Sequence, residues 1–210
     1  MAAPLEAKGF WAITGISGET AERLKAYESL LRKWQKAINL VSNRSLEDVW
    51  RRHFLDSAQI FDALPRNPGS LLDIGSGAGF PGMVLAILGV PGVVLVESDH
   101  RKCQFLREVS RETSTDVTIF AGRIEALAPK IFDVVVSRAC APLNVLLKYA
   151  QPYLGPDTIC IFLKGRAAPE ELTTAEKHWI MRYSLIKSIS DSAGMLVRLE
   201  GVTDGGIGDK

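Results

Sequence analysis

The spacing of hydrophobic and polar positions changes once along the chain. Over residues 19–62 the period is helical. In AERLKAYESLLRKWQKAINLV, Leu24, Tyr27, Leu30, Leu31, Trp34 and Ile38 fall on one stripe. This predicts one helix and then a second, which begins after Ser45, carries Glu47 and Asp48 in its first turn and runs through LEDVWRRHFLDSAQIFDAL. The breaker cluster PRNPGS, residues 65–70, ends the pattern. From residue 70 onward, short apolar runs alternate with helical stretches. SLLDIG, GVVLVES, DVTIFAG, FDVVVSR and DTICIFLKG read as strands buried on both faces. PGMVLAILG, HRKCQFLREVSRET, the short RIEALA and APLNVLLKYAQPYL read as the helices between them. That alternation predicts a doubly wound α/β domain with a mostly parallel sheet. RYSLIKSIS and GMLVRLEGV are separated only by a turn and predict an antiparallel C-terminal hairpin. The expected organisation is a helical extension over 1–66, a cofactor-binding domain over 67–200 and a mobile tail over 201–210.

Composition narrows this picture. The 210 residues are 47% hydrophobic, enough for a full core. The formal charge is +1, so a nucleic-acid contact requires a local patch. One exists: residues 23–53 carry eight basic residues (Arg23, Lys25, Arg32, Lys33, Lys36, Arg44, Arg51, Arg52) against Glu28, Glu47 and Asp48. Arg101, Lys102 and Arg107 extend it, although a solvated helix face has the same composition. Trp34 and Trp50 lie inside the patch at the spacing of core residues. Cys103, Cys140 and Cys160 have no metal-ligand spacing and fit a reducing cytoplasm. The N-terminal stretch has no basic flank followed by an apolar core, and no apolar run approaches the ~18 residues of a membrane span. A cytoplasmic monomer is expected, with no metal.

The densest chemical signal is DIGSGAGFPG, residues 73–82. Gly75, Gly77 and Gly79 match an S-adenosylmethionine (SAM) loop. Gly77, Gly79 and Gly82 match the dinucleotide fingerprint, with Glu97 at the spacing of its ribose acid. The flanking residues favour SAM. Asp73 places a carboxylate at a strand tip, suited to a cationic ligand and ill suited to a pyrophosphate. Pro81 removes an N–H from the helix start. In the SAM parse, Phe80 borders the cofactor, Gly82 packs a helix and Glu97 takes the ribose hydroxyls. Past the third strand, either Ile124 flanks an adenine and Glu125 addresses its edge, or the two open a helix with an acidic first turn. Arg138 ends the fourth strand, where it binds a carboxylate or phosphate or forms a plain salt bridge. Lys164, after the fifth strand, faces a substrate phosphate or caps a loop. His53 and Asp56 lie one helical step apart, and structural pairing is the favoured reading.

Taken in order, KWQKAINLVS, RRHFLDS, LLDIGSGAGFPG, RKCQFLREV, VVSRACAPL and FLKG resemble the ribosomal RNA small-subunit methyltransferase G family, also called glucose-inhibited division protein B. Cys140 departs from the phenylalanine common in that family. The resemblance implies a Rossmann-like class I methyltransferase that moves a methyl group from SAM to N7 of a guanosine in the decoding-region loop of 16S ribosomal RNA. It assigns SAM contacts to Gly75, Phe80, Ile124, Glu125 and Arg138. The substrate, RNA or an assembled small subunit, is expected to meet Arg51, Arg52, Arg138 and Lys164. Guanine N7 has a free lone pair and no proton, so no catalytic base is required. In keeping with this, the sequence lacks both an Asn/Asp-Pro-Pro-aromatic motif and a Pro-Cys nucleophile.

Overall fold

The computed structural model describes residues 3–138 and 141–206, so Cys140 lies outside the described residues. Seven strands form one sheet in the order β3-β2-β1-β4-β5-β7-β6. They are β1 Leu71–Ile74, β2 Val93–Glu97, β3 Thr118–Ala121, β4 Val134–Arg138, β5 Ile159–Lys164, β6 Trp179–Lys187 and β7 Met195–Asp204. The first five are parallel and correspond to the five apolar runs. β7 joins β5 antiparallel and β6 pairs with β7, which is the expected hairpin. The strand order reverses between β1 and β4, and this opens a crevice at their C-terminal ends. Burial on both faces holds for β1, β4 and β5 but not for β3. β3 is an edge strand, and its Thr118 is exposed.

The extension begins with α1 (Ala7–Thr14) and α2 (Gly18–Gln35). The α2 stripe buries Leu24, Tyr27, Leu30 and Leu31. The predicted second helix is broken. It starts earlier than expected, at α3 (Asn43–Glu47), because the Ser42 side chain accepts the Ser45 N–H at 3.2 Å and caps the helix. A π-helical turn follows at Trp50–Leu55, then α4 (Asp56–Ala58) and a 3₁₀ turn at Phe61–Ala63. The wider π turn carries Trp50, His53, Phe54 and Leu55 into the interior together. Trp50, Phe54 and Leu55 join one apolar cluster with Leu71, Met83, Phe105 and Val134 of the sheet domain. The extension and that face of the sheet therefore share a single core.

α5 (Gly82–Ile87) and α6 (His100–Glu112) cover the same face; α7 (Leu143–Ala150) and α8 (Ala168–Ala175) cover the other. RIEALA forms only a 3₁₀ turn, Ile124–Ala126. α8 has no counterpart among the predicted helices, although Ala168, Leu172 and Ala175 bury a helical stripe. A Cβ on Gly82 would stand 2.5 Å from Leu95 Cδ2 and 2.7 Å from Asp73 Oδ2, so α5 rests directly on β1 and β2. Gly82 is a packing glycine.

The expected boundary at residue 200 falls inside β7, which continues to Asp204. Gly201, at φ 59°, forms a bulge with Val202 opposite Met181, and pairing then resumes through Ile180 and Trp179. Residues 201–204 are thus strand, not tail. No helix among the described residues is long and apolar enough to cross a membrane.

Candidate active site

The glycine loop leaves β1 at Gly75 and enters α5 at Gly82. Gly75, Gly77 and Gly79 have φ values of 71°, 57° and 92°, a left-handed region that disfavours side chains. Two carboxylates hold the loop from below. Glu97 Oε2 accepts the Gly77 N–H at 2.8 Å, and its Oε1 accepts the Asp99 N–H at 2.7 Å. Asp73 Oδ2 accepts the Gly82 N–H at 2.9 Å. Asp73 is completely buried and its Oδ1 has no hydrogen-bond partner. Burial raises its carboxyl to about 7, against the opposing effect of the Gly82 N–H.

A cavity of about 420 Å³ opens beside the loop. Its walls come from the loop (Gly75, Gly77, Phe80), the strand ends (Arg138, Lys164) and the π turn (Arg52, His53), with Asp56 behind them and Asp191 from the β6–β7 turn. Arg138 organises the centre. Its Nη2 lies 2.8 Å from His53 Nδ1, and its Nη1 donates to the Arg52 carbonyl at 2.9 Å. Nη1 also lies 3.5 Å from Asp56 Oδ2, and the guanidinium sits 5.0 Å from the centroid of the Phe80 ring. Guanidinium only donates, so His53 Nδ1 accepts and the imidazole proton resides on Nε2. Burial, then the charges of Arg138 and Arg52, push the His53 pKa down to about 3. The ring is neutral at physiological pH.

Three of the anticipated contacts are already engaged elsewhere. Lys164 Nζ reaches Glu171 Oε2 at 2.8 Å and the Ala141 carbonyl at 2.5 Å. Arg52 pairs with Asp191 at 2.7 Å but stays half exposed at the cavity rim. Arg51 does not reach the cavity. It is tied to Asp48 at 3.0 Å and to the Ala3 carbonyl at 3.0 Å.

Residues 20–195 match the family described as rRNA small subunit methyltransferase G. The chain is 52% identical over 201 residues to the family's protein from Rhodospirillum centenum, covering 96% of this chain and 93% of that one. It is 50% identical over 192 residues to the protein of the same name from Paramagnetospirillum magneticum, covering 91% and 94%. This chain belongs to the rRNA small subunit methyltransferase G family. Two solved structures share the fold at low identity. A ribosomal protein L11 methylase from Lactobacillus delbrueckii subsp. bulgaricus aligns at TM-score 0.59 and 16% identity, over 73% of this chain and 79% of that one. A TehB-like SAM-dependent methyltransferase from Corynebacterium glutamicum aligns at TM-score 0.53 and 17% identity, over 86% and 98%.

Membership in the methyltransferase G family decides between the two parses of the glycine loop. The cofactor is SAM, and the dinucleotide reading falls. The donor set fits that cofactor. The loop backbone forms an open wall: a Cβ on Gly77 would meet nothing closer than 3.9 Å. Glu97 uses one lone pair per oxygen, which leaves acceptor sites for ribose hydroxyls. The cavity volume lies in the range of roughly 300–1,000 Å³ typical of small-molecule sites.

The anticipated SAM residues divide into three groups. Gly75, Gly77, Phe80 and Arg138 line the cavity. Glu97, Ile124 and Glu125 lie outside it, at the ends of β2 and β3, with Ile124 buried and Glu125 exposed. Asp73 and Gly79 do not reach the cavity. Asp73 is turned beneath the loop, where Oδ2 accepts the N–H at the helix start and Oδ1 has no hydrogen-bond partner. Gly79 packs against Tyr27, Leu106 and Met83. The structural pairing read for His53 and Asp56 runs through Arg138, with each residue touching the guanidinium separately. Asp191 and Gln59 had no distinguishing signal in the sequence. Trp50 is core, as its spacing indicated, and its Nε1 donates to Glu28 at 2.9 Å. The described cysteines, Cys103 and Cys160, are buried free thiols. The described residues contain no cluster of metal ligands.

Proposed function

We propose that the chain methylates N7 of a guanosine in the decoding-region loop of 16S ribosomal RNA. One observation carries this reading: among the described residues, each acid or base lining the cavity has a protein partner, and His53 Nε2, which has none, already carries a proton and cannot take another. His53 Nδ1 accepts from Arg138. Asp56 takes Arg138, Ser190 and Gln59, and Asp191 takes Arg52. Such a cavity suits an acceptor atom with a lone pair and no proton to lose. SAM, when bound, supplies an electrophilic methyl group. Gly75, Gly77, Phe80, Glu97, Ile124, Glu125 and Arg138 hold it along the strand ends. The chain's remaining task is to align the purine and exclude water. Arg138, fixed by His53 and the Arg52 carbonyl, offers its guanidinium to a carboxylate of the cofactor or a phosphate of the substrate. Arg52 at the rim meets RNA phosphate by exchanging Asp191 for it, whereas Lys164 stays on Glu171 and the Ala141 carbonyl. An rRNA substrate and buried free thiols fit a cytoplasmic protein.

The test is methyl transfer from labelled SAM to small ribosomal subunits and to naked 16S RNA, followed by mapping of the modified base. Label on guanine N7 is expected. Label on an exocyclic amine or a pyrimidine carbon would overturn the proposal.

A further inference from the structure

The helical extension meets Phe80 of the cofactor loop through Tyr27, His53 and Phe54, and Tyr27 also hydrogen-bonds the loop backbone. Tyr27, in α2, is fully buried. Its Oη donates to the Ala78 carbonyl, in the middle of the loop. Its ring lies parallel to that of Phe80, with centroids 5.2 Å apart and planes 12° apart, and Phe54 meets it edge-on at 5.3 Å. A Cβ on Gly79 would stand 2.6 Å from Tyr27 Oη, so the loop backbone runs hard against the hydroxyl. Phenylalanine would fill the same aromatic space. What the hydroxyl adds is a bond to a loop with three left-handed glycines, residues that adopt many conformations at little cost.

We propose that Tyr27 is the positioning residue that selects the SAM-competent conformation of the glycine loop. The inference rests on the reading that this loop holds SAM. Without the hydroxyl, the loop populates other conformations, and apparent affinity falls by the fraction of loops left competent. The extension is therefore part of the cofactor site as well as a surface for RNA. Methyl transfer in the full chain is unaffected once SAM saturates, because Tyr27 touches no reacting atom.

The experiment compares wild type, Tyr27→Phe and Trp50→Phe. The last deletes the hydrogen bond from Trp50 Nε1 to Glu28 and trims a buried ring stacked on Phe54, so it reports a general loosening of the extension with the Tyr27–Ala78 bond kept. SAM binding is measured by calorimetry, and KM for SAM and kcat by methyl transfer to small subunits. Tyr27→Phe should raise Kd and KM for SAM roughly three- to ten-fold, the worth of one hydrogen bond, with kcat retained. Trp50→Phe should bind SAM like wild type despite a lower Tm. Equal SAM affinity in Tyr27→Phe and wild type overturns the proposal, as does an equal loss in both variants. Wild type that binds no SAM overturns the cofactor reading itself. Should Tyr27→Phe not fold, hydrogen exchange on wild type decides: SAM must slow exchange in α2 around Tyr27 as well as in the loop, and protection of the loop alone refutes the link.

Discussion

Arg138 Nη2 and His53 Nδ1 stand 2.8 Å apart across 85 positions of sequence. The contact joins the end of β4 to the π turn of the extension. It fixes the tautomer of the histidine and the plane of the guanidinium together.

Arg138→Lys keeps the charge but not the planar fork that reaches His53 and the Arg52 carbonyl at once. Stability should fall by about 1.5–3 kcal/mol, the worth of hydrogen bonds to a charged group. Turnover should fall further, toward the ~10²-fold that a 1 Å misplacement costs. Thermal melting and kcat at saturating SAM separate the two effects. Unchanged turnover with a lower Tm would reduce Arg138 to a structural brace.

His53 and Asp73 give the fold opposing pH dependences. The His53 pKa drops from an ordinary 6.5 to about 3 on folding, so its contribution is complete above pH 6.5 and is lost as pH falls toward 3. The Asp73 pKa rises from an ordinary 3.8 to about 7, so its contribution is complete below pH 3.8 and is lost as pH rises through 7. Between pH 4.5 and 6.5 the two slopes, each up to ~1.4 kcal/mol per pH unit, oppose each other. Relative to wild type, His53→Gln should lose stability as pH rises through this window, and Asp73→Asn should gain it. Urea unfolding at several pH values measures both, and parallel profiles for all three proteins would contradict the assignment.

Gly82→Ala sets two effects against each other. Alanine favours helix by about 1 kcal/mol. The added Cβ, however, meets Leu95 and Asp73 at 2.5–2.8 Å on a buried strand pair that has little room to shift. Overpacking of this kind costs about 1–3 kcal/mol, so a net loss is expected in the urea midpoint. A stabilised variant would mean that α5 does not rest on the sheet.

Arg52→Gln should lower the slope of log K against log salt for small-subunit binding by about one, the loss of one phosphate contact. Arg51→Gln should leave the slope unchanged, because Arg51 is held by Asp48 and the Ala3 carbonyl. The reverse pattern would move the RNA path to the other side of the π turn.

The parallel strands were legible because burial on both faces writes continuous apolar runs. Gly82 was legible because the residues around it excluded a pyrophosphate. The break in the second helix was not: an α-helix and a π turn bury nearly the same spacing of Trp50, Phe54 and Leu55. Asp73 was legible as a strand-tip acid, but its hold on the helix start was not, since a carboxylate there serves a ligand or a helix start equally well. In the ring of partners around Arg138, the spacing of His53 and Asp56 was legible as a pairing, but the guanidinium that joins them was not, because it lies 85 positions from His53. Arg138 itself was visible as a charge ending an apolar run.

The β6–β7 turn meets the extension through long-range bonds: Arg52 to Asp191, Asp56 to Ser190, and Gln59 to Ser188 and the Ile189 N–H. These partners are separated by about 130 positions or more. Closing so large a loop carries an entropic cost that is repaid only when both ends are present. During synthesis, a nascent chain that has completed the extension and the first five strands still has an open cavity wall. The site closes only after β6 and the turn behind it have emerged, so incomplete chains hold the glycine loop without a finished chamber around it.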